Sequence, residues 1–237
     1  LTGNFQFDFL IFVVRLFNLF IILGDYMFDS IILDVDGTIW NTTPIVAGAW
    51  NKAIDSLFPK EPHVTAEILE TQFGKPMNVI ADNLFPDLSD SEKSILMDQC
   101  CVDEHEAIEL NNSNITYDGV VKGIEELSAK YKIFIVSNCQ SGYIELVMRK
   151  NHIEAYITDF ECYGDTGKGK DENIKLIIKR NHLKNPVYVG DTQGDYDACK
   201  KAGVPFIWAS YGFGCPDDEN YYAKIDNFRE LTDLLKK

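Results

Sequence analysis

The sequence predicts an α/β protein, a parallel-sheet core with a helical domain inserted directly after the first strand. Three observations carry that expectation. Short apolar runs at 31–33, 132–136, 186–190 and 205–209 are separated by segments whose apolar residues recur every three or four positions, and strands alternating with helices pair in parallel through right-handed crossovers. Residues 42–114 show helical spacing and no convincing strand. The first apolar run ends in Asp34-Val35-Asp36-Gly37-Thr38, and the carboxyl ends of strands are where open α/β sheets gather their ligands.

Taken in order, residues 9–23 form an apolar stretch that Arg15 and Asn18 interrupt, shorter than the roughly 20 apolar residues of a spanning helix. It lacks the basic start and small-residue cleavage site of a signal peptide. Phe, Ile, Leu and Asn are residues that AT-rich DNA encodes by default, and Gly24-Asp25-Tyr26 can be written as a purine-rich ribosome-binding signal before Met27. Residues 1–26 are therefore read as translated upstream sequence, with an amphipathic membrane anchor as the alternative. Ile31–Leu33 is the first strand. Ala49, Trp50, Ala53, Ile54 and Leu57, then Ile68, Leu69 and Phe73, mark helices of the insert. Turns at Phe58-Pro59, Gly74-Lys75-Pro76 and Phe85-Pro86-Asp87 divide it, and Ser89 to Glu92 reads as another helix start.

Beyond the insert, helices are expected at 119–130, 144–150, 172–180, 195–201 and 228–235, and strands at 132–138, 155–160, 186–190 and 205–209. The expected division is a core of residues 27–41 and 115–237 and a helical domain of residues 42–114, whose two connections meet the core beside Asp34.

With 237 residues and 46% apolar content the chain can bury a sizeable core. Its formal charge of -15 opposes nucleic acid and anionic lipid, so an anionic ligand needs a local positive site. Six cysteines, without CxxC or zinc-like spacing against the four histidines, read as free thiols of a reducing cytoplasm.

Two strand-end carboxylates repel unless a cation or proton intervenes, and an all-oxygen site suits Mg²⁺. Asp34 and Asp36 are thus the first candidates. Ser137-Asn138 closes the second strand, and Gly190-Asp191-Thr192-Gln193-Gly194-Asp195 closes a later one. Between them Lys168 and Lys170 sit in a glycine-rich loop before a helix. Each piece alone is an ordinary turn, cap or solvated lysine; their order at successive strand ends sets them apart.

Those four pieces, from Met27 to the C-terminus, resemble the motifs of the haloacid dehalogenase superfamily of phosphohydrolases. The helical insert between the first two is similar to the subgroup that includes phosphoglycolate phosphatases and β-phosphoglucomutases, as are Ala202-Gly203-Val204-Pro205 and Tyr211-Gly212-Phe213-Gly214. The resemblance implies a Rossmann-like core with an α-helical cap. It implies Asp34 as nucleophile and Asp36 as general acid and base. Mg²⁺ would be held by Asp34, the Asp36 carbonyl and Asp191, with Asp195 a direct or water-mediated ligand. Ser137 and Asn138 would hold the phosphoryl group together with Lys170, which directly precedes the helix and fits the motif better than Lys168. The proline that often follows this lysine in relatives is missing. Asp36 argues against a dehalogenase, which needs no leaving-group acid, and a phosphonatase would need a cap lysine such as Lys52 or Lys75. Substrate choice is expected from the cap loop with Gly74 and Lys75, and from Trp40 and Thr42 near the hinge.

The activity so implied is a cytoplasmic, Mg²⁺-dependent phosphatase of a small phosphorylated metabolite, with phosphoglycolate as the nearest precedent. A phosphosugar mutase, a nucleotidase, a pyrophosphatase and a catalytically silent binder of phosphate ligands are the alternatives.

Overall fold

The computed structural model describes residues 28–236; residues 1–26 and Met27, where the upstream extension and start were expected, lie outside them. Strand β1 (Ser30–Leu33) is followed by four helices, α1 (Thr43–Leu57), α2 (Ala66–Glu70), α3 (Met77–Leu84) and α4 (Asp90–Leu110). The chain continues through α5 (Val120–Ser128), β2 (Lys132–Ser137), α6 (Tyr143–Asn151), β3 (Ile157–Cys162), α7 (Tyr163–Thr166) and α8 (Lys170–Asn181). It closes with β4 (Pro186–Gly190), α9 (Gln193–Ala202), β5 (Phe206–Ala209), β6 (Ala223–Ile225) and α10 (Phe228–Leu235).

All pairings in the sheet are parallel, in the order β3-β2-β1-β4-β5-β6. Crossovers from β1 run to one side and those from β4 to the other, so the chain reverses between β1 and β4. That crevice is where such sheets bind ligands. Strands covered on both faces read as continuous apolar runs, and β1, with all four residues buried, is one. One face packs Ile32, Phe134, Val136 and Tyr188 against Ile174 and Ile177 of α8 and Tyr196 of α9. On the other, Ile31, Leu33, Ile133, Ile135 and Val189 join Ile124, Ile144 and Leu231 of α5, α6 and α10. That second core continues through Trp40 and Tyr143 into Trp50, Phe85 and Leu96 of the inserted helices.

The two connections to the inserted helices run side by side. Asn41 N donates to the Ile115 carbonyl at 2.8 Å and Tyr117 N to the Ile39 carbonyl at 3.1 Å. Helix α4 starts at the expected place because Ser89 and Glu92 form a reciprocal capping box.

Several elements differ from expectation, the unexpected short helix α7 and the start of α9 at Gln193 among them. Helix α8 begins two residues earlier, at Lys170, because extended Gly169 takes the cap position. At 155–160 the chain makes a single 3₁₀ turn, Glu154–Tyr156, before β3, which extends to Cys162. Edge strand β6, three residues with a half-exposed start, is too short for any periodicity to show.

Candidate active site

The ends of β1, β2 and β4 converge with the first turn of α8. Asp34, Asp36, Ser137, Lys170, Asp191 and Asp195 are all buried here. Starting α8 at Lys170 places that side chain inside: Nζ donates to Asp34 Oδ1 at 2.8 Å and to Asp195 Oδ1 at 2.5 Å. Lys168, two residues earlier, is exposed and lies outside the cluster.

Asp195 is held on both oxygens. Oδ1 also accepts from Tyr188 OH at 3.3 Å, while Oδ2 accepts from Thr192 N and Oγ1 in the box that caps α9. Asp191 Oδ2 accepts from Phe213 N at 2.7 Å. Asp34 Oδ2 and Asp191 Oδ1 are buried with no hydrogen-bond partner, and the Asp36 carbonyl accepts no hydrogen bond among the described residues. Orphaned buried acceptors are costly. One carboxylate oxygen from each of Asp34, Asp191 and Asp195 lies within 4.8 Å of the others. Three carboxylates face one ammonium, so a hard dication would balance the cluster, and its ligands would all be oxygens.

The electrostatics say the same. Burial, then the nearby Asp195 charge, pushes Asp34 up to about 7 despite Lys170. Burial, followed by Asp195 and Asp34, holds Asp191 well above the usual carboxylate range. Burial would raise Asp195 too, but the charge and hydrogen bond of Lys170 carry it below its ordinary value. Lys170 is raised although burial opposes it, because Asp195 and Asp34 outweigh desolvation. The cluster as it stands lacks positive charge.

Asp36 sits in a separate network. Its Oδ1 accepts from Tyr143 OH at 2.8 Å, Trp40 Nε1 at 3.1 Å and Thr42 Oγ1 at 3.2 Å. Burial raises Asp36 to about 7; the Tyr143, Thr42 and Trp40 bonds lower it, and the charge of Glu104 adds to the rise. Trp40 and Thr42, expected to contact substrate, are fully buried and hold the carboxyl of Asp36. Gly74 and Lys75 do line a small cavity of about 20 Å³ between the inserted helices and the core, with Asp36, Ser137 and Asn138 on its other walls. Asn138 Nδ2 bridges the two by donating to the Gly74 carbonyl at 2.8 Å, and Lys75 Nζ is bonded to the Thr71 carbonyl and Gln72 Oε1.

Sequence reading did not single out Tyr143 or Glu104, and it marked Gly212 only as part of the resemblance at Tyr211-Gly212-Phe213-Gly214. Tyr143 looks like one more aromatic of an amphipathic helix. Glu104 stands on the buried stripe of α4, in line with Cys100 and Ile108, and that spacing was its signal. At Gly212 a Cβ would overlap the Gly37 carbonyl oxygen and the Asp191 side chain. Gly212→Ala is therefore expected to cost about 1–3 kcal/mol by overpacking, read as a lower midpoint in chemical denaturation. An unchanged midpoint would show that the loop yields freely.

A family model described as haloacid dehalogenase-like hydrolase matches residues 31–209. A phosphoglycolate phosphatase of Vibrio parahaemolyticus is 24% identical over 200 residues, 77% of this chain and 84% of the relative. One from Colwellia psychrerythraea is 21% identical over 225 residues, 88% of this chain and 97% of the relative. Among solved structures, a predicted phosphoglycolate phosphatase from Haemophilus somnus 129PT superposes with a TM-score of 0.78 at 21% identity, covering 89% of this chain and 99% of that one. A predicted phosphatase from Clostridium acetobutylicum gives 0.75 at 15% identity, with 89% and 99% covered.

Proposed function

The chain belongs to the haloacid dehalogenase-like hydrolases, and we propose that within this family it is a Mg²⁺-dependent phosphatase of a small phosphate monoester. The observation that carries this reading is the pairing of Asp34, bonded to Lys170 on one oxygen and unpartnered on the other, with Asp36, a carboxyl raised to about 7 two residues away. The name shared by the two curated relatives makes phosphoglycolate the first substrate to test.

In this reading Asp34, the Asp36 carbonyl and Asp191 would hold Mg²⁺, which would supply positive charge to the transferring phosphoryl group. Asp34 attacks phosphorus. A bond forms between its carboxylate oxygen and phosphorus while the ester bond breaks, and Asp36 gives its proton to the departing oxygen. Water then attacks the aspartyl-phosphate, Asp36 takes its proton, and Asp34 is freed with release of phosphate. Asp195 acts as the anchor that aims Lys170, and Lys170, Ser137 and Asn138 receive the phosphoryl oxygens.

We divide the chain into a core of residues 27–41 and 115–237 and a cap of residues 42–114, the cap closing over the substrate and excluding water. Among the described residues no helix is long and apolar enough to cross a membrane. Six free thiols suit a reducing compartment, so we place the reaction in the cytoplasm.

The test is phosphate release from phosphoglycolate, sugar phosphates, nucleotides and pyrophosphate, with Mg²⁺ or with EDTA. Metal-dependent release is expected. Isomerised sugar phosphate without free phosphate would identify a mutase instead, and no turnover of any compound would leave only a binding role.

Tyr143→Phe tests the role of Asp36. A bond donated to a carboxylate favours its charged form, so removing it raises Asp36 further. A general acid works only while protonated; kcat/KM, which reports the free enzyme, should therefore fall as pH rises through the Asp36 pKa. In Tyr143→Phe that fall is expected at higher pH, by roughly one unit. A fall at lower pH, or none, would contradict the assignment.

A further inference from the structure

Glu104 is a carboxyl that the reaction above does not use. It projects from α4 of the inserted helices, is 3% exposed, and lines the same small cavity as Asp36. Trp50 Nε1 donates to Oε2 at 2.8 Å and Gln140 Nε2 to Oε1 at 3.0 Å. Among the described residues no Lys, Arg or His stands within ion-pair distance of it. Lys75, the other charged group of the inserted helices on this cavity, is bonded to the Thr71 carbonyl and the Gln72 side chain instead.

Asp36 must touch the ester oxygen it protonates, so the rest of the leaving group extends into the space that Asp36 and Glu104 share. Phe73, Met77 and Ile80 line it as well, which suits a short aliphatic stem. The stem's far end then meets Glu104. A carboxylate keeps acceptor capacity beyond the two bonds it already accepts, and it offers no donor. At a carboxylate so deeply buried, a second anion beside it is scarcely screened.

We propose that Glu104 selects the leaving group, favouring short alcohols whose far end donates a hydrogen bond and rejecting those that end in a carboxylate. This rests on the phosphatase reading and sharpens it. Selection of this kind works by an unfavourable contact with the wrong substrate as much as by a favourable one with the right one.

Phosphoglycolate and ethylene glycol monophosphate form a matched pair of similar length, one ending in a carboxylate and the other in a hydroxyl. Their kcat/KM values are to be compared as a ratio at about pH 7.5, where Glu104, pushed up to about 7 by burial, is largely ionised and enough Asp36 keeps its proton for both compounds to turn over. Para-nitrophenyl phosphate serves as the control that reports a folded, working enzyme. The wild type should prefer the hydroxyl compound by about tenfold or more, Glu104→Gln should shift the ratio toward phosphoglycolate by about tenfold, and Glu104→Asp should keep the wild-type bias. A structural role alone would lower both substrates together and leave the ratio fixed. Preference of the wild type for phosphoglycolate would overturn the proposal and point to Lys75 as the selector. So would an unchanged ratio in Glu104→Gln. Release from the control without the bias defeats only the proposal; no metal-dependent release from any of the three defeats the phosphatase reading with it.

Discussion

Asp34→Asn is expected to lower phosphate release at least about ten-thousandfold, because the amide keeps the shape of the carboxylate but cannot attack phosphorus. The fold should survive. Lys170 still finds an acceptor at Oδ1, and one negative charge leaves a site where Asp191 and Asp195 remain. Circular dichroism and denaturation midpoints close to wild type, beside a lost activity, are the expected pair of results. Activity within about tenfold of wild type would remove Asp34 from the chemistry.

Lys170→Met should strike both stability and activity. The lysine stands between two carboxylates that are themselves buried, at 2.8 and 2.5 Å, and it has no substitute nearby. Removing one partner of a buried charge cluster leaves the others uncompensated, at a cost of about 3–5 kcal/mol. Urea denaturation measures that loss, and Mg²⁺ should recover part of it, since a dication stabilises the same carboxylates. Phosphate release should fall with it. A variant as stable as wild type would mean that Asp195 and Asp34 are neutral in the folded protein.

Much of this is legible in the sequence. The Asp34 and Asp36 pair was visible because β1 is a buried run with an abrupt polar end, and Asp191 because β4 repeats that pattern. The helical insert was legible from its spacing and its capping box at Ser89. What was hidden depended on distance in space. Lys170 is preferred to Lys168 for its place before the helix, but its reach is not visible there: the start of α8 at Gly169-Lys170 turns it inward, onto Asp34. Tyr143 reads as a core aromatic and Trp40 is expected to meet substrate, yet their polar atoms meet at Asp36 from positions 103 residues apart (143 − 40). Glu104 lies in a helix dense with acidic residues, most of them exposed, so its charge concealed its burial. Asp195 shares the acidic motif of Asp191, but its oxygens are taken by Lys170, Tyr188 and Thr192, a fact of packing that spacing does not carry.

The central claim is that Asp34 carries the phosphoryl group. Asp36→Asn with para-nitrophenyl phosphate tests it most directly. That leaving group departs without an acid, so the first step proceeds; the second, lacking its base, stalls. Acid quenching followed by peptide mass mapping should find nitrophenol released in a burst of one equivalent per enzyme and a hydroxylamine-sensitive phosphoryl group on the peptide that contains Asp34. Nitrophenol release with no phosphoryl group on that peptide, or with one on another residue, would contradict the account.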